Sequence, residues 1–434
     1  MLDRKFSIVK NAVLTLIMCF LVACASTPEV IVEDTELALW LSEANQYKDA
    51  LSNDHPDRAE NILSISDSMR EIINTKFSKV KRANVATRMA DWLIKKDGHG
   101  MTYSVKANLS PVEAFEKREG NCLSFTLLLT TMAAELGIKL EYNEVDLPDV
   151  WNQNEEDDAG LVLYRHINAI RKTSGKEYVY DLAIEEYDAS YPQRVIPSHY
   201  AVALLHNNLA IAAFQKQDFE TAIHYIKLAV AHYPVNPDIF VNLSALFKYI
   251  GEKKLAKDAL LHALSLDKFS YIAANKLERW YRLDGELAKA KKYERLARTS
   301  RNRNPYFQYA LAESSLESEE YKTARRHIRR AKYLYQEDSR FYRLSSRIER
   351  KSGNYLKALR ELHTATKLAK TEERYKEYFA EALEVAEEMK KLGLTKKRRN
   401  EAVTGTRFKP RNNQRTASNN SSIGIEEINK SLAE

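Results

Sequence analysis

Alanines recur every 34 residues through the second half of this chain, at Ala222, Ala256, Ala290, Ala324 and Ala358. A second series keeps the same step at Ala229, Ala263, Ala297, Ala331 and Ala365, and Leu209, Leu243, Leu277 and Leu311 hold the same register. A period of this length describes one supersecondary unit that cannot bury its apolar face alone and must stack on copies of itself. Small residues at fixed offsets let two helices of a unit approach closely. Gly251, Gly285 and Gly353 fall where such helices would turn, with Gln217 and Glu319 at that place in the other copies. Five units fit, over 203–236, 237–270, 271–304, 305–338 and 339–372, and a helix over 373–394 with Tyr375, Phe379, Leu383 and Val385 caps them. Only 12 glycines and 10 prolines in 434 residues agree with a largely helical chain.

This unit resembles the tetratricopeptide repeat, a helix–turn–helix stacked into a superhelix. The resemblance implies a concave surface that binds a peptide or a partner protein, and no reactive constellation of its own. Residues 271–372 hold 25 Lys and Arg against 13 Asp and Glu, and Arg325, Arg326, Arg329 and Arg330 share one helix. A solvated arginine-rich face accounts for this, and so does an anionic partner: an acidic protein, a cell-wall polymer, lipid headgroups, or an acidic segment of the same chain. The overall charge of +7 is small for the length and does not point to nucleic acid.

The amino terminus reads as an address. Arg4, Lys5 and Lys10 precede an apolar run over 12–23, too short for an ordinary spanning helix and typical of a secretory signal. It ends Leu21-Val22-Ala23-Cys24, which resembles a bacterial lipobox. The resemblance implies lipidation of Cys24, removal of Cys19 with residues 1–24, and, with Ala25 following, an outer-membrane anchor with the body in the periplasm. Cys122 is then the one remaining thiol, so the mature chain has no disulfide framework. Residues 25–58 are a polar tether and a lead-in helix over 37–50. Helices are expected over 59–77 and 80–94, a turn over 95–100, and a short helix opening at Ser110-Pro111. The tail over 395–434 is basic and polar, and its composition is that of a disordered segment.

Cys122 follows Gly120-Asn121 and opens an apolar helix stopped by Gly137. Asn121 is a natural N-cap, and the positive end of a helix favours thiolate over thiol. A strand is expected over 139–145. Residues 141–158 carry eight acidic side chains and no basic one, a surface excursion or a substrate-facing lid. Two strands follow, over 161–170 and 177–182, joined by a hairpin at Thr173-Ser174-Gly175-Lys176. If Ser174-Gly175 is its turn, His166 lies opposite Ala183, and Asp181 sits diagonal to it on the same face.

Residues 59–195 resemble a bacterial transglutaminase-like domain of the papain-like cysteine superfamily. The matching stretch is Ala114-Phe115-Glu116-Lys117-Arg118-Glu119-Gly120-Asn121-Cys122-Leu123-Ser124, then His166 on one strand and Asp181 on the next. The resemblance implies an α+β domain with Cys122 as nucleophile, His166 as general base and acid, and Asp181 orienting the imidazole. The Cys122 amide is the first oxyanion donor; Asn121, Trp92 and Tyr103 are candidates for the second. The chain departs from the family at Asn168, where many members carry an aromatic residue, and in its acidic segment. No cofactor and no metal are implied. The expected function is amide chemistry on a protein or peptide, by hydrolysis or acyl transfer, with the repeats recruiting substrate. The alternative is a non-catalytic scaffold. Acetyl transfer to small amines shares the triad but leaves the repeats without a use.

Overall fold

The computed structural model describes residues 36–394 apart from 52, 147–165, 174 and 184–186. The signal segment with Cys24, most of the acidic excursion, Ser174 and the 395–434 tail lie outside the described residues.

The described residues open with helix α1 (Glu36–Ala50), a short α2 (Ala59–Ile62), α3 (Asp67–Phe77) and α4 (Val85–Ile94). The single helix expected over 59–77 is two, because Ser66 takes an extended conformation and its hydroxyl caps α3 through the Met69 amide. That local bond competes with helix continuation. The helix expected from 80 begins at Val85. Then come β1 (Thr102–Tyr103), α5 (Pro111–Lys117), β2 (Glu119–Gly120) and α6 (Cys122–Glu135). Ser110 and Glu113 cap α5 reciprocally, with Pro111 at its first position.

Four strands follow: β3 (Glu141–Val145), β4 (His166–Thr173), β5 (Lys176–Tyr180) and β6 (Gln193–Ile196). They form one antiparallel sheet in the order β5-β4-β3-β6. Thr173 pairs with Lys176, which sets the hairpin register expected from sequence. Strand β6 and the small parallel β1–β2 pair were not expected; at two to four residues neither carries a readable period.

Ten helices then run as five antiparallel pairs. They are α7 (Ser198–Gln215) with α8 (Phe219–His232), α9 (Pro237–Tyr249) with α10 (Lys253–Leu266), and α11 (Tyr271–Leu283) with α12 (Leu287–Asn302). The last two are α13 (Pro305–Glu317) with α14 (Tyr321–Leu334), and α15 (Ser339–Lys351) with α16 (Tyr355–Leu368); α17 (Glu372–Lys391) packs on α16. All ten periodic alanines are buried.

Helix α1 packs on the first two repeats. Trp40 meets Phe247 edge-on, and the Tyr47 hydroxyl lies 2.6 Å from His224 Nδ1. One apolar core runs from Leu123, Leu127 and Ile167 of the cysteine domain through Ile196 and Tyr200 into the first three repeats. A second, with Met69, Met89, Phe125, Leu128, Met132 and Tyr180, lies inside the cysteine domain. The two halves therefore share a core. A buried polar relay reinforces the joint: Glu144 of β3 accepts from Arg194 and from the Tyr200 hydroxyl, which in turn accepts from Asn236. Glu144 belongs to the acidic stretch yet is 3% exposed.

The turns inside the repeats require a left-handed residue. Gly251, Gly285 and Gly353 have positive φ, and so do Gln217 and Glu319, at 63° and 58°. An L side chain there costs about 1 kcal/mol. A Cβ at Gly285 would meet nothing within 4 Å, so the backbone term acts alone. Gly285→Ala is expected to lower stability by about 1 kcal/mol and Glu319→Gly to raise it by about half that, read by thermal melting. Equal and opposite signs to these would contradict the assignment.

Candidate functional site

Helix α6 starts where three side chains fix it. Asn121 is extended, and its Oδ1 accepts the Ser124 amide at 2.9 Å, closing the N-cap. Its Nδ2 donates to Asn108 Oδ1 at 2.7 Å. Ser124 Oγ, fully buried, donates to the Ala107 carbonyl and accepts the Leu109 amide. The segment before α5 is thus clamped across the start of the helix. A side chain at Gly120 would be tight: a Cβ would sit 3.2 Å from Ser124 Cβ and 3.3 Å from Met101 Cε. Arg118, two residues earlier, takes the left-handed conformation that ends α5.

Thr126 joins the helix to the sheet. Its hydroxyl lies 2.7 Å from the Cys122 carbonyl and 3.1 Å from that of Ile167, the residue after His166. Cys122, His166 and Asp181 come together, with Sγ, a ring nitrogen and a carboxylate oxygen all within 4.8 Å of one another. All three are buried. His166 Nε2 lies 2.5 Å from Asp181 Oδ2, which leaves Nδ1 as the ring nitrogen for the thiol.

Asp181 is held from three sides. Besides His166, its Oδ2 accepts from Asn168 Nδ2 at 3.2 Å, and its Oδ1 accepts the Ala183 amide at 3.0 Å. Asn168 is held by Asn143 Nδ2, which also donates to Gln193 Oε1. The carboxylate therefore ends a polar chain that crosses β4, β3 and β6. Asn168 fixes the carboxylate. Its spacing of two from His166 on a strand put it on the same face, which was the signal available in sequence.

Burial alone would lower the pKa of His166. The hydrogen bonds and charges of Asp181 and Cys122 overcome it and lift the imidazole to about 10. Three donors this close could also hold a metal, but Nε2 and Oδ2 face each other and Oδ1 faces an amide, so the set is closed on itself.

Of the candidates for a second oxyanion donor, Asn121 is engaged at both ends. Trp92 packs against Phe77, His99 and Phe115, and Tyr103 is 43% exposed at the end of β1. The array reaches the same domain from the other side. Asp188, a few residues past Asp181, pairs with Arg374 of α17, and Tyr191 lies under Arg340 of α15 at 4.7 Å. Of the acidic segment over 141–158, one of the possible partners of the basic repeats, residues 147–158 lie outside the described residues, and Glu141 and Glu144 pair with Lys172 and Arg194 of the sheet rather than with the basic repeats; Asp188 meets the array from the next loop.

No family model matches the chain, and no curated protein matches it. Solved structures do. The chain is 16% identical to Pseudomonas aeruginosa pilF over 46% of its own length and 96% of that chain, with a TM-score of 0.23. MamA matches at 19% identity over 45% and 97%, with a TM-score of 0.22. PilW, described as a widely conserved type IV pilus biogenesis factor, matches at 13% over 45% and 96%, also at 0.22. At such values these likenesses say nothing of function. No described helix is long and apolar enough to cross a membrane.

The raised His166 pKa makes the buried pair's contribution to stability complete below about pH 6.5, and it is lost as pH rises through about 10. Asp181→Asn is expected to cost about 3 kcal/mol at pH 6 to 7. The cost should shrink toward pH 10 in urea titrations; a pH-independent cost would contradict the charged pair.

Proposed function

We propose that this protein is an envelope lipoprotein whose Cys122–His166–Asp181 group cleaves or transfers acyl groups at amide bonds of a protein or peptide. Cys24 would carry the anchor, and the body would lie in the periplasm on the outer membrane. The observation that carries the reading is the buried His166–Asp181 pair set against a thiol at a helix N-terminus.

The residues have balanced roles in such a reaction. The Cys122 thiolate attacks the carbonyl carbon, and the C–S bond forms as the carbonyl π pair moves to oxygen. When the tetrahedral adduct collapses, the C–N bond breaks and imidazolium His166 protonates the departing amine. Water, deprotonated by neutral His166, then hydrolyses the thioester; an amine in its place gives transfer. Asp181 keeps the imidazole in one tautomer and one plane.

The helix pairs are of the tetratricopeptide kind, a protein-interaction fold, and recruitment of the substrate or of a partner is assigned to them. An anionic partner fits the exposed arginines of α14. No role is assigned to nucleic acid or a cofactor.

The test is iodoacetamide alkylation across pH, followed at the peptide that carries Cys122. Labelling of the parent that slows at every neutral pH in His166→Ala is the expected result. An ordinary profile unchanged by the substitution would return the chain to the scaffold reading, in which both domains only bind.

A further inference from the structure

Among the described residues of the site, one buried polar group has no partner. Asn108 is 6% exposed, and its Nδ2 has no hydrogen-bond acceptor. Such a group costs about 1–3 kcal/mol unless something uses it. Its orientation follows from its neighbours. The Ser124 amide requires the Asn121 oxygen, so Asn121 Nδ2 must point to Asn108; Asn108 must then present its oxygen there. That turns Nδ2 away from the clamp. The Asn121 amide is also fixed, on the Ala107 carbonyl at 3.2 Å. The side chain is thus locked next to the residue that precedes Cys122, with a donor left over. Helix geometry leaves the Cys122 amide without an intrahelical acceptor as well.

We propose that Asn108 Nδ2 is the second oxyanion donor, acting with the Cys122 amide on the tetrahedral adduct. This rests on the acyl-transfer reading above and names a residue that reading left open. Its substrate class is an acyl group with a planar carbonyl, amide or ester. In the ground state the donor is unsatisfied; the oxygen that gains the carbonyl pair satisfies it, so the bond strengthens as the reaction proceeds. The clamp through Asn121 and Ser124 supplies the rigidity that a side-chain donor needs.

Two thiol reactions separate this role from a structural one. Alkylation by iodoacetamide displaces iodide and forms no oxyanion. Acylation by p-nitrophenyl acetate forms one: the Cys122 sulfur bonds the acetyl carbon, the ester C–O bond breaks, p-nitrophenolate leaves, and water later releases acetate. Both are measured on the full-length chain, with Cys122→Ser subtracted.

In Asn108→Ala the expected result is alkylation within about twofold of the parent and acylation reduced about 100-fold or more. Unchanged acylation would overturn the assignment. A matched loss of both reactions would also overturn it, placing Asn108 in support of the helix start alone. A parent chain whose alkylation is independent of His166 and whose acylation does not exceed Cys122→Ser would remove the acyl-transfer reading itself.

Discussion

Helix α6 has almost no solvent face, and the arrangement of the molecule follows from burying it. Leu123 and Leu127 enter the core that continues into the repeats, while Phe125, Leu128, Leu129 and Met132 enter the core of the cysteine domain. Each such side chain contributes about 1.5–3 kcal/mol when fully buried. A helix apolar on all sides must be covered on all sides. The sheet covers one side, the leading helices cover another, and α7 of the first repeat closes the joint. The N-terminus of this helix bears Cys122, so the burial that organises the fold also places the thiol.

The sheet and the helix are then locked by polar bonds that are few but buried. Thr126 spans from the cysteine helix to the histidine strand, and the chain from Asp181 through Asn168 and Asn143 to Gln193 crosses the sheet. In a low dielectric such a network holds only if nearly every member is satisfied. Asn108 is the exception within the site, which is why its free donor carries meaning there. The array adds a third restraint, because Asp188 and Tyr191 tie the loop beyond Asp181 to α17 and α15. A partner bound at those helices would meet a surface already touched by the domain it serves.

Much of this was legible in the residues. The 34-residue step placed the helix pairs, and the left-handed residues between them appear at glycine and at Gln217 and Glu319 alike. Gly-Asn before Cys122 signalled the cap, and the hairpin register predicted that His166 and Asp181 share a face. What remained hidden depends on contacts distant in sequence. Asn168 read as a departure until Asn143 lay beside it across β3 and β4. Ser66 read as helix interior, although its hydroxyl caps the start of α3. Glu144 read as part of an acidic surface, although Arg194 and Tyr200 bury it. Asn108 carried no local signal at all, since its meaning comes from Asn121, on the far side of a turn and a helix.

The central claim is that His166 stands protonated beside Cys122, held so by Asp181. Nitrogen NMR of histidine-labelled protein, with His166 assigned by its substitution, reads that state directly. The account predicts that both ring nitrogens of His166 remain protonated at pH 8 and lose that proton only toward pH 10. A His166 ring that is neutral at pH 8, titrating in the usual range near 6.5, would contradict it.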